Sequence, residues 1–196
     1  MRYFLFMKAI VALHNHIVAA FVVIFLGGAG GAGALWAQTA ALDDLFARLP
    51  DADARQAEKI EREIWIEWSE SGSAAMDLLL ERGRTAMAAG MPDVAVEHLT
   101  ALIDHAPDFA EGWNARATAY FQTGDLGPSV SDIGHVLTLN PRHFGALSGL
   151  GIIFEQLDQP QKALEVYRAA LAINPHLNDV KESVEQLEKT VAGQDL

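Results

Sequence analysis

The chain of 196 residues contains no cysteine, so it can form no disulfide framework, thiolate zinc site, iron–sulfur cluster or cysteine nucleophile. A lipoprotein anchor is excluded for the same reason, since its acylated residue is a cysteine. Basic residues are also scarce: 14 Lys and Arg stand against 26 Asp and Glu, a formal net charge of −12. A nucleic-acid binder needs a basic face to displace counterions, so this balance argues against that class of partner. Past residue 38 no stretch alternates apolar and polar residues as a half-buried strand would. Walker, dinucleotide-glycine and nucleophile-elbow motifs are missing as well. The glycine-rich run at 27–33 resembles a phosphate loop only in composition, because no strand precedes it.

What is present divides at about residue 37. Arg2 and Lys8 are the only charged residues before Asp43. An apolar run, Ile17 to Leu26, follows them, then glycines and alanines through Ala34, then Leu35 to Gln38. Basic start, apolar middle and small-residue end are the three regions of a secretory signal peptide, with cleavage after Ala34 or Ala37. The rival reading is an uncleaved membrane anchor, because Ile17 to Ala37 carries no charge and is long enough to span a bilayer. Five glycines within 27–33 weaken the helix this would need, at roughly 1 kcal/mol each. Under either reading the rest of the chain is exported, to the periplasm in a cell with two membranes. A membrane enters the list of partners only if the segment stays uncleaved.

The remainder repeats. Pro107, Pro141 and Pro175 recur every 34 residues, and aligning on them brings other positions into register. Leu79, Trp113 and Leu147 match, as do Gly83, Ala117 and Gly151, then Ala86, Tyr120 and Phe154. Gly90, Gly124 and Asp158 follow, then Ala95, Ser129 and Ala163, then Leu99, Ile133 and Tyr167, then Leu102, Val136 and Ala170. Small residues meet small ones and large apolar residues meet large apolar ones. The first set of small residues lets one helix approach its neighbour, and glycines at the turn can take a left-handed backbone.

This pattern resembles the tetratricopeptide repeat, a helix–turn–helix of 34 residues. The resemblance implies an all-α fold, a right-handed α-α superhelix of repeats at 76–109, 110–143 and 144–177. Arg82 and Arg116 depart from it where leucine is usual, Ser129 replaces alanine, and Pro128 lies just inside a helix start. The flanks read as caps. Val180, Val184, Leu187 and Val191 form one apolar stripe on a C-terminal helix over 178–196. Residues 38–75 give an N-terminal hairpin or degenerate repeat: a short helix 42–49 closed by Pro50, then a helix 52–69 with Ala57, Ile60, Ile64 and Trp68 on one face. Trp65 and Ile66 lie off that face. They are either packing between two helices or an exposed docking patch.

Few residues suggest chemistry. His98 and His105 share a helix face, but seven residues at about 1.5 Å each separate them too far to clasp one metal ion unaided. They read as surface histidines, and Trp113 as core. No catalytic residue, metal site or cofactor is expected, and the chain is read as a non-enzymatic binding protein. The resemblance implies that a protein segment binds in the concave groove lined by each repeat's first helix. Carried onto this chain, the groove comprises Asp77, Leu80, Arg84, Met87 and Ala88, then Glu111, Asn114, Thr118, Phe121 and Gln122. Gly145, Ser148, Ile152, Glu155 and Gln156 complete it. It contains no lysine, which argues against the carboxylate clamp that some relatives use on heat-shock chaperones. The expected role is an exported adaptor or scaffold in cell-envelope assembly or maintenance; the alternative is a periplasmic holdase for unfolded or translocating clients.

Overall fold

A computed structural model describes the backbone of residues 32–194 and the side chains of residues 40–191. The signal-peptide or anchor expectation falls mostly on residues 1–31, outside the described residues. Nine helices and no strand occur among the described residues: α1 Ala32–Arg48, α2 Ala54–Ser69, α3 Ala74–Ala88, α4 Pro92–His105, α5 Ala110–Thr123, α6 Leu126–Leu139, α7 Phe144–Gln156, α8 Pro160–Ile173 and α9 Asn178–Gln194. None of them is long and apolar enough to cross a membrane. The short helix expected at 42–49 begins ten residues earlier, at Ala32.

Helices α3 to α8 form three hairpins, α3/α4, α5/α6 and α7/α8. Each turn needs a positive φ. Gly90 (φ 71°) and Gly124 (φ 85°) supply it without a Cβ penalty, and the third turn uses Asp158 (φ 53°). Pro92 and Pro160 open α4 and α8 at the first helical position, where the missing N–H has no intrahelical partner to lose. Within each hairpin a small residue admits a large one. A Cβ on Gly83 would lie 2.6 Å from Leu99 Cγ, and one on Gly151 would overlap the ring of Tyr167. Burial, and then its hydrogen bond to Glu155, push the Tyr167 phenol above its ordinary pKa.

The two arginines in leucine positions behave differently. Arg116 forks onto buried Asp132, with Nε–Oδ2 at 2.7 Å and Nη2–Oδ1 at 2.9 Å, and reaches Thr100 on the preceding repeat at 3.1 Å. Its bond to Asp132, more than any other influence, raises the guanidinium above its ordinary pKa. Arg116 thus ties α4, α5 and α6 together with a bidentate pair in place of an apolar contact. Arg82 is exposed. Ser129, the other departure, donates its buried hydroxyl to the Ala117 carbonyl at 2.8 Å. Trp113 is only half-buried: its indole N–H donates to the Pro107 carbonyl, its ring stacks on His135 at 4.2 Å, and Arg116 lies over it. At the far end, Val180 and Leu187 of α9 are buried with Val184 and Val191 beside them, against Leu164 and Tyr167.

The N-terminal hairpin departs from the cap expected ahead of the first repeat. Leu78 of α3, Met91 of the turn and Val94 of α4 stay exposed. The stripe on α2 (Ala57, Ile60, Ile64, Trp68) packs instead with Leu45 and Leu49 of the preceding segment and with Phe144, Ile173 and Leu177 of the third repeat. Polar contacts fix the same placement: Arg142 pairs with Asp43 at 2.7 Å, and His176 Nε2 lies 2.9 Å from the Leu49 carbonyl oxygen. A capping box on Asp53 and Gln56 sets where α2 starts. α2 therefore lies across the inner face of the repeats, against the N-terminal ends of α5 and α7.

Candidate functional site, the inner face of the repeats

The inner face is divided by α2 into a covered and an open half. The covered half centres on a carboxylate, Glu111, with a relative exposure of only 3%. Burying it requires hydrogen-bond partners on both oxygens. Arg84 Nη2 donates to Oε1 at 2.6 Å, and Asn114 Nδ2 donates to Oε2 at 3.1 Å. His143, fully buried, places Nε2 at 3.1 Å from the same Oε2. Its Nδ1 accepts from the Ala146 backbone N–H at 3.0 Å and caps α7. That bond assigns the proton to Nε2, so the neutral ring donates to Glu111. Arg84 also reaches Ser69 Oγ of α2 through both terminal nitrogens, each at 3.1 Å.

Aromatic rings close over this cluster. Trp68 stacks on His143 at 4.2 Å, and Trp65 meets Trp68, His143 and Phe144 edge-on at 5.2–5.8 Å. A Cβ on Gly145 would lie 2.7 Å from the edge of the Trp65 ring. Trp65 is thus a packing residue, while its neighbour Ile66 stays 58% exposed. Trp65, Ile66, Ser69, Glu70 and Arg84 border a shallow depression where α2 ends.

The open half is a cavity of about 420 Å³ between α5 and α7, floored by Ser129 and Ile133 of α6. Seven of the residues expected in the groove line it: Asn114, Thr118, Phe121, Gln122, Gly145, Ser148 and Ile152. Arg84 and Met87 do not. Arg84 is occupied by Glu111 and Ser69, and Met87 packs on the cluster around Leu80, Leu99 and Leu102. Gln156 is exposed outside the lining. Glu111, a groove position by the repeat pattern, lies in the cluster beneath α2, Gly145 stands at the boundary, against Trp65 and in the lining, and Glu155 accepts from Tyr167. No charged side chain remains in the lining.

Its polar groups are specialised. Thr118 and Ser148 donate their hydroxyl protons to helix carbonyls, of Asn114 and Phe144, and Asn114 gives its amide N–H to Glu111. What they leave toward the cavity is acceptor capacity and the second Asn114 N–H, and Gln122 adds an exposed amide. Ile152 projects 45% exposed beside Phe121, apolar area that gains nothing from water. Two residues escaped the sequence reading. His143 stands just before a helix, an N-cap position, which is the one signal its sequence context carries. Gly149, beside Ser148 in the lining, was passed over because a glycine offers no side chain to interpret.

The tetratricopeptide repeat sequence profiles match residues 80–127 and 144–177. A TPR repeat-containing protein of Rhizobium etli is 39% identical over 153 residues, covering 78% of this chain and 75% of that protein. The chain belongs to the tetratricopeptide repeat family. Solved structures share its fold. The first TPR of Spaghetti (RPAP3) bound to an HSP90 peptide aligns with a TM-score of 0.59 at 23% identity, over 61% of this chain and 95% of that one. MamA aligns at 0.57 and 20% identity, over 81% of this chain and 84% of MamA. As a TPR protein, the chain keeps the three-hairpin superhelix and adds a helix across its inner face.

Proposed function

We propose that this TPR protein is a non-enzymatic interaction module whose open half-groove takes up a segment of a protein partner, as an exported adaptor or scaffold in cell-envelope assembly or maintenance. The observation that carries the binding reading is the cavity between α5 and α7, where exposed Ile152 and half-buried Phe121 lie beside the polar groups of Asn114, Thr118 and Ser148. The peptide held by the RPAP3 domain supports it by likeness of fold. Export is supported by Arg2 and Lys8, the charge-free Ile17–Ala37 and the small residues that end it. The narrow, preformed cavity favours one matching segment over the varied clients of a holdase.

The binding test is Phe121→Ala with Ile152→Ala, in protein shown to be folded by circular dichroism. Losing two central apolar contacts is expected to cost about 2 kcal/mol or more, roughly a thirtyfold drop in affinity for a partner trapped by crosslinking in cells. Undiminished recovery would reject the groove as the binding site. Export is tested by N-terminal sequencing of the native protein. Cleavage after Ala34 or Ala37 is the expected result, and an intact N-terminus in the cytosol would overturn it.

A further inference from the structure

The residues of α7 suggest what kind of segment the groove accepts. Gly145 and Gly149 stand one helical turn apart on the face that also carries Ser148 and Ile152. The first glycine already receives a ring from within the chain: a Cβ there would meet Trp65 Cη2 at 2.7 Å and Cζ2 at 2.9 Å. At Gly149 the same construction meets nothing within 4 Å. Yet Gly149 lies in the lining of the 420 Å³ cavity, with Phe121 and Ile152 beside it. Both glycines line that cavity: the Trp65 ring fills the space over the first, and the space over the second is open.

We infer that the Gly149 notch seats a bulky uncharged side chain, aromatic or branched aliphatic, from the partner's segment, between Phe121 and Ile152, as Trp65 sits over Gly145. The inference rests on the groove reading above and specifies its partner. Size supports it, since the cavity falls in the range that holds an organic group rather than a single methyl. Charge supports it too. An ionised side chain would lose hydration there and find no counter-charge, because Glu111 and Arg84 satisfy each other beneath α2 and Glu155 is held by Tyr167. Asn114, Thr118 and Ser148 then present acceptors to backbone N–H groups of the same segment.

The test selects displayed random peptides of twelve residues on the full-length chain, then measures the synthesised winners against variants. Gly149→Leu fills the notch and removes a helix-interior glycine; Gly149→Met repeats the test with a more pliant side chain. Gly134→Leu makes the same change at an exposed α6 position outside the cavity, with nothing within 4 Å. Selected peptides are expected to share one Trp, Phe, Leu or Ile and to lose roughly tenfold or more in affinity with both Gly149 variants, while Gly134→Leu binds as the unaltered chain does. Failure to enrich any peptide, a shared charged residue, or unchanged affinity in the Gly149 variants would each overturn the inference. If Phe121→Ala with Ile152→Ala abolishes binding and the Gly149 variants do not, the groove reading stands and the notch falls. If neither change matters, both fall.

Discussion

The two halves of the inner face are built on the same two helices, α5 and α7, yet one is filled and the other is open. Under α2, Glu111, His143 and Gly145 are covered by Trp65, Trp68 and Phe144. One turn further along α5 and α7, Asn114, Thr118, Gly149 and Ile152 face a cavity. The comparison shows how this fold accommodates a helix: through a glycine on the repeat, a ring on the incoming helix, and a polar cluster with every partner satisfied. It also distinguishes a wall from a lid. Leu45, Leu49, Ile60, Ile64 and Trp68 are all buried in the α1–α2 cluster. At about 1.5–3 kcal/mol each their gross contribution is on the order of 10 kcal/mol, comparable with a whole domain's net stability.

The sharpest way to break the contrast is to remove the ring that closes the covered half. Trp68→Ala should cost about 3–5 kcal/mol in urea unfolding, since it empties the space between His143, Phe46 and Phe144. Next comes the carboxylate. Glu111→Ala strands the His143 Nε2–H and removes one of the three Arg84 hydrogen bonds, and should cost about 2–3 kcal/mol, reduced from a fully buried pair because Arg84 is 40% exposed. Glu111→Gln keeps an acceptor and should cost visibly less. The two glycines then give the most direct comparison. Gly145→Ala should destabilise by about 1–3 kcal/mol, because the Trp65 ring is held by three other rings and cannot step aside. Gly149→Ala should instead raise stability by about 0.5–1 kcal/mol, the helix-propensity gain with no collision. Thermal or denaturant melts of the pair decide it: the same sign for both would mean that the halves do not differ as described.

The repeat itself was legible because its physics is local. A proline every 34 residues and small residues facing large ones mark hairpins that pack on their neighbours, and the turns at Gly90 and Gly124 follow from the same register. The C-terminal stripe could be read for the same reason. The path of α2 could not. Ala57, Ile60, Ile64 and Trp68 announce a buried face but not its mate, and the mates Phe144, Ile173 and Leu177 lie far along the chain without a pattern of their own. Arg84 and Glu111 therefore read as groove residues, though they hold each other under α2. Seven groove positions do line the cavity, since placing them needed only the geometry of one hairpin against the next.

A bare solenoid behaves as a spring: each hairpin touches only its neighbours, and its coil can open or tighten by small increments. Here α2 and the segment before it run as a chord beneath the arc. Ser69 meets Arg84 in the first hairpin, Trp65 meets the start of the third, and Glu61 and Leu49 meet Asn174 and His176 beyond it, the last two contacts joining residues 113 and 127 apart. A chord of fixed length sets the curvature of the arc above it, and with it the spacing of α5 and α7 on either side of the cavity. The cavity is thereby held at one width, and the coil cannot be unwound from one end without releasing the other.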